Sequence, residues 1–96
     1  MLSVINAEYV QAKTLKVIFN SHEECLINFS EVINKDHRKI WQQLADNDVF
    51  KKFYVDHNTV CWENGLDVAP EYLYFLANKN NLALQMQFKE WGYIKN

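Results

Sequence analysis

Trp62-Glu63-Asn64-Gly65-Leu66-Asp67-Val68-Ala69-Pro70-Glu71-Tyr72-Leu73-Tyr74 is the stretch that organises this chain. The run before it, Thr59-Val60-Cys61-Trp62, is β-branched and aromatic and reads as a strand. Asn64-Gly65 is a turn signal, with glycine free to take a backbone angle that other residues avoid. Pro70 suits the first position of a helix, where its missing N–H has no partner to lose. Glu71 then falls in the first turn, where the helix dipole favours an acid. Tyr72 to Leu76 is apolar nearly all round, which predicts a helix to about Asn78 with both sides covered. Asp67 is expected to accept N–H bonds from the loop entering that helix. The stretch is therefore a strand-to-helix corner, with Trp62 covering a sheet and Leu73 and Tyr74 burying the helix. A functional reading of the same residues sets Trp62, Asp67, Glu71 and Tyr74 along a groove, two carboxylates and two aromatics facing a partner.

Upstream of the corner the pattern has period two. Ser3 to Val10 is tolerant of β structure. Leu15, Val17 and Phe19 alternate onto one face, and so do Cys25, Ile27 and Phe29. The polar Asn20-Ser21-His22-Glu23 between them predicts a hairpin, and without glycine the loop should exceed two residues. Ser30 can cap a short helical turn through Val32 and Ile33. Asp36 can cap a clearer helix on which His37, Ile40, Trp41 and Leu44 share a face. Asp46-Asn47-Asp48 should close it. Val49 to Val55 turns apolar and aromatic again, and the turn Asp56-His57-Asn58 predicts a second hairpin with the strand at Thr59–Trp62.

Downstream, Leu82, Leu84, Met86 and Phe88 alternate as a strand would. The residue types favour helix, however, and Gly92 suits the left-handed position after one, with Tyr93 reaching back to Phe88. A helix over 81–91 is expected. Leu84, Phe88 and Trp91 share one of its faces, and Leu82 and Met86 another. Residues 1–78 thus form a domain, and 79–96 an extension packed on it or on a partner, with Asn78-Lys79-Asn80-Asn81 as hinge.

Composition bounds the answer. The 96 residues are 49% hydrophobic and 15% aromatic, too apolar for a disordered chain and enough for one core. Ten basic against twelve acidic residues leave a net charge of −2, and Arg38 is the sole arginine, unlike a protein built to neutralise many phosphates. The first residues have no basic lead or long apolar run, so neither signal peptide nor membrane span is expected. Cys25 and Cys61 read as reduced thiols of a cytosolic protein.

The signature Trp62, Asn64-Gly65, Asp67, Pro70, Glu71 and Leu73-Tyr74 resembles that of a bacterial family of unknown function, the domain-of-unknown-function family numbered twenty-four forty-two. The likeness covers about residues 1–76. Two positions depart from the family pattern: Ser21-His22-Glu23-Glu24 stands where glycine is usual in the first hairpin turn, and Glu63 where proline commonly follows the tryptophan. The resemblance implies an α+β fold and a place beside a second small protein in a toxin–antitoxin-like pair. It implies no catalytic residues.

Chemistry-bearing sets are sparse. His22, Cys25, His57 and Cys61 are a zinc-competent set, but both cysteines lie in apolar strand runs and structural zinc sites are more tightly spaced. Asp56, Asp67 and Glu71 are the acids open to hydrolytic work, and nothing brings a pair to working distance. Lys51, Lys52, Arg38 and Lys39 form short basic clusters for a nucleic-acid backbone, more simply a solvated face. The expectation is an α+β domain, one small antiparallel sheet of four to five strands packed with two to three helices. Its function is expected to be protein interaction or regulation, as the antitoxin-like member of a two-protein system. A nucleic-acid-associated regulator comes second and a small enzyme third. No cofactor or metal is expected. The expected partner is another small protein encoded nearby, or a second copy through the tail, touching Trp62, Asp67, Glu71, Tyr74, Leu82 and Met86.

Overall fold

A computed structural model describes residues 1–95. Its class is α+β: six strands in two antiparallel three-stranded sheets, with five short helices. The first sheet is β1 (Val4–Gln11), β2 (Thr14–Phe19) and β3 (Glu24–Asn28), in that order. Helices α1 (Ser30–Lys35), α2 (Lys39–Gln42) and α3 (Asn47–Phe50) follow, with a 3₁₀ turn at Gln43–Ala45. The second sheet is β4 (Phe53–Asp56), β5 (Thr59–Trp62) and β6 (Asp67–Val68). Helix α4 (Pro70–Asn78), a 3₁₀ turn (Leu82–Leu84) and α5 (Gln85–Glu90) complete the fold.

The alternation of β2 and β3 survives folding. Leu15, Val17, Phe19, Ile27 and Phe29 are wholly buried, while Cys25 on the same face is half-buried. The opposite face carries Lys16 between Glu8 and Glu24, at 3.1 and 3.5 Å, as expected of a sheet with one face in water. The single sheet expected from the sequence is divided. β1 changes register between Val4 and Asn6 and again between Tyr9 and Gln11, and such bulges twist a strand and end its pairing. A backbone bond from Val4 N–H to Asn58 C=O, 2.8 Å, joins the two sheets there.

Two hairpins use one loop geometry. Gly65 N–H reaches Trp62 C=O and Trp62 N–H reaches Leu66 C=O; His22 N–H reaches Phe19 C=O and Phe19 N–H reaches Glu23 C=O. Each is a three-residue loop whose last residue is left-handed, Gly65 at φ +99° and His22 at φ +72°. Histidine thus occupies the conformation for which glycine is suited. A Cβ on Gly65 would meet nothing within 4 Å, so Gly65→Ala is expected to cost about 1–2 kcal/mol through backbone conformation alone. His22→Gly should be neutral to stabilising, by under about 1 kcal/mol, because relief at φ > 0 is offset by greater freedom of the unfolded chain. Thermal unfolding of both variants checks the pair: equal losses would contradict it. The β4–β5 turn is the two-residue kind, with His57 at φ +51° and Asn58 at φ +65°.

The middle helices depart most from expectation. Ser30 is not a cap but the first helical residue, and Asn28 Oδ1 accepts its N–H at 2.8 Å. Asp36 ends α1 instead of capping the next helix; its carboxylate accepts from the Arg38 N–H and guanidinium. Trp41 and Leu44 are buried as read, but His37 lies exposed outside the helix. Asp46 both ends that helical stretch and caps α3 through Asp48 N–H, 2.8 Å. Val49 and Phe50 are therefore helical, not strand, and the strand begins at Phe53.

The corner is built as read. Pro70 opens α4, which runs to Asn78. Trp62 is wholly buried against Phe29 and Phe50, its indole N–H 2.8 Å from Phe50 C=O. Asp67 differs: it lies exposed on β6 opposite Cys61, and its carboxylate accepts no hydrogen bond among the described residues. Ala69 stands at the N-cap of α4 with no side-chain cap.

The tail is helical. Gly92 (φ +86°) follows α5, with Gly92 N–H on Lys89 C=O and Tyr93 N–H on Phe88 C=O, the paired bonds of a Schellman ending. Tyr93 meets Phe88 through its backbone, while its ring lies on Phe75, centroids 5.3 Å apart. Phe88 is wholly buried and packs edge-on against Phe75 at 5.1 Å. The outer side of α4 is thereby covered only in part: Leu73 is its buried residue and the others are half-buried. Leu82 and Met86 point away, 88% and 71% exposed, so the tail is not wholly tucked into its own core.

Candidate interaction groove

Between β3, α1 and α4 runs a groove of two adjoining hollows, about 410 and 330 Å³. Glu31, Val32, Leu76 and Lys79 line both. Its position follows from the helices: α1 leaves the end of β3 at once, and α4 lies along β3, so the sheet edge and two helices bound a trough. Leu26, 64% exposed, stands at one end; Tyr72, Phe75 and Asp36 close the other.

The groove's charges are paired, Lys79 with Glu31 across it and the others locally. Lys35 and Lys79 donate to the two oxygens of Glu31, at 3.0 and 2.8 Å. These bonds, Lys79's first, hold the Glu31 carboxyl down at about 2. Arg38 grips both Asp36 oxygens, at 3.0 and 2.7 Å, and holds that carboxyl at about 2. Burial, then the Asp36 charge, pushes the Tyr72 hydroxyl up. Folding thus depresses both acids below their ordinary values of 4.5 and 3.8. Their stabilisation is complete above pH of roughly 4.5 and is lost as pH falls from there through 2. In Lys79→Met, the Glu31 titration midpoint, followed by carboxyl-carbon NMR, is expected to rise towards an ordinary glutamate. An unmoved midpoint would dismiss the bridge between α1 and α4.

The remaining candidates are scattered. Trp62 is buried and cannot line a surface. Asp67 is exposed on β6 and Glu71 half-buried on the first turn of α4. Tyr74 instead turns to the β2–β3 loop, its hydroxyl 3.2 Å from Glu23 Oε2 and its ring 5.4 Å from Phe19. His22 and His57 occupy separate hairpin turns, whereas Cys25 and Cys61 sit on different sheets. No three of the described His, Cys, Asp or Glu residues cluster as a metal site. Burial first, then nearby carboxylates, pushes both thiols up, away from the nucleophilic thiolate. Among the basic candidates, Lys51 lies 5.0 Å over the exposed Tyr9 ring, beside the Lys13–Asn47 contact. Lys52 and Lys39 are exposed, and Arg38 is engaged by Asp36.

Sequence reasoning missed Leu26, Glu31, Val32, Leu76 and Lys79 as one site. The Glu31–Lys35 spacing of four was visible as a helical ion pair; Lys79, 48 residues from Glu31, was not.

No described helix is long and apolar enough to cross a membrane. Neither a curated protein nor a solved structure matches the chain. The model of one family, described as "Protein of unknown function (DUF2442)", matches residues 4–79, from the first strand to just past α4. The chain therefore belongs to the DUF2442 family of proteins of unknown function.

Proposed function

We propose that this domain is a protein-interaction module of the cytosol, the regulatory or antitoxin-like member of a small bacterial two-protein system. One observation carries the reading: α5 anchors through the buried Phe88 while Leu82 and Met86, four residues apart, are left uncovered. Large apolar side chains left in water on adjoining turns, Leu82 in the 3₁₀ turn and Met86 in α5, are the raw material of a protein interface. The groove's acids point the same way, because carboxylates held by lysine and arginine are poor general bases at neutral pH. The family resemblance supplies the kind of partner, a second small protein encoded alongside.

Co-expression with the product of the adjacent gene tests it. A complex that stays together on a sizing column is expected, and Leu82→Asp with Met86→Asp should dissociate it. Clean separation of the two unmodified proteins would argue against the module. A second reading, contact with a nucleic-acid backbone, draws on Lys51 beside Tyr9 and on Lys52. It requires binding that weakens steeply with salt and with Lys51→Glu.

A further inference from the structure

We propose that the free edge of β3, with the groove beside it, takes an extended acidic segment of a partner protein as an added strand. This rests on the protein-interaction reading and names the chemistry of the partner. Phe19 N–H bonds Glu23 C=O at 3.0 Å, and Phe29 N–H bonds Lys13 C=O at 2.8 Å. Between these bonds the register pairs Val17 with Cys25 and Leu15 with Ile27. The alternation of an antiparallel ladder then turns the backbone groups of Cys25 and Ile27 towards β2, and those of Glu24, Leu26 and Asn28 away from it. β3 is the edge of its sheet, and the Leu26 N–H and C=O meet no partner among the described residues. Such an edge is a template for a further strand.

The groove says which strand fits. A segment hydrogen-bonded to Leu26 would run over Val32 and Leu76, which ask for aliphatic side chains at every second position. Lys35 and Lys79 share the single carboxylate of Glu31, and Arg38 at the rim neutralises Asp36, so three cations face two carboxylates and one positive charge is in surplus, in a chain that is negative overall. An aspartate or glutamate between the aliphatic residues meets it. A second copy's β3 fits less well. Symmetric pairing would bring both copies' Lys35 and Lys79 into one shared groove and so double the surplus positive charge there. Adding a strand to an edge beside a helix is an established mode of peptide capture.

The test uses the full chain against a displayed library of short random peptides. Enriched peptides are expected to alternate aliphatic and acidic residues. On binding, the amides of Leu26 and Asn28 should exchange with solvent about tenfold more slowly or better, whereas those of Cys25 and Ile27, already in the ladder, should change little. Leu26→Pro removes an outward N–H and no ladder bond. It should weaken binding about tenfold, the scale of one main-chain hydrogen bond, while Leu26→Ala, which keeps the N–H, binds nearly as well. Should Leu26→Pro fail to fold, Lys79→Glu serves in its place and should disfavour the acidic peptides. Enriched peptides that leave the Leu26 and Asn28 amides unprotected, or bind Leu26→Pro unchanged, overturn the proposal. So does protection of those amides by self-association without peptide. If the adjacent gene's product binds the wild-type and Leu26→Pro chains equally, the interaction module stands and the β3 edge falls. If the library yields nothing and the neighbour fails to bind, both fall.

Discussion

Trp62→Ala is expected to bring the domain to the edge of unfolding. The side chain is wholly buried, and its ring meets Phe29 at 5.6 Å and Phe50 at 5.9 Å. Truncating such a residue to alanine costs about 3–5 kcal/mol from lost transfer energy and the cavity left behind. The substitution also deprives Phe50 C=O of the indole N–H it accepts at 2.8 Å, and a buried acceptor left unpaired costs about 1–3 kcal/mol more. Domains of this size are stable by about 5–15 kcal/mol in total. Trp62 also lies where β5 leaves for the α4 corner, so both sheets feel the loss. Urea unfolding followed by far-UV circular dichroism measures it. Trp62→Phe keeps most of the ring and removes the N–H, so it should recover most of the packing and show the hydrogen bond alone. A loss below about 2 kcal/mol for Trp62→Ala would show that the core collapses around the gap, and that this residue is not its centre.

Phe88→Ala should have a cost of similar size but a different reach. Phe88 is as buried as Trp62, yet its neighbours are Phe75 and Trp91, outside the principal cluster around the sheets. The local loss is about 3–5 kcal/mol, more than a six-residue helix held by a few aromatic contacts can sustain. Residues 82–93 are therefore expected to detach while the sheets remain folded. Amide exchange should accelerate through α5 and stay slow in β2 and β5. The same variant should lose the uncovered pair Leu82 and Met86 as an ordered surface, and with it binding to any partner that uses them. Uniform acceleration across the whole chain would mean instead that the tail is part of one cooperative unit with the sheets.

What could be read without coordinates was local. The period-two faces of β2 and β3, the turn at Asn64-Gly65, the helix opening at Pro70 and the Gly92 ending of α5 each follow from residues within a few positions of one another. Short-range sterics and burial periodicity decide such features, and both are written in consecutive side chains. The failures have a common cause too. Asp36 and Asp46 are equally good caps by type, yet Asp36 ends a helix while Asp46 opens one, because a cap is defined by where the chain turns, and the turn was set by Trp41, Leu44 and Phe50 seeking the core. His22 occupies a left-handed position by virtue of the hairpin around it, against its own preference.

The groove belonged to tertiary structure alone. Leu26 is an ordinary alternating strand residue in the sequence; only sheet order makes its backbone a free edge. Glu31 and Lys79 become partners because α4 is laid along β3 by Leu73, Tyr74 and Phe19. The sequence by itself determined the α+β class, the strand-to-helix corner and the membership of a family. Tertiary packing decided that there are two sheets instead of one, and which polar and apolar groups face each other across the groove. Interactions between residues far apart depend on how whole elements are placed, and no short stretch of chain encodes that placement.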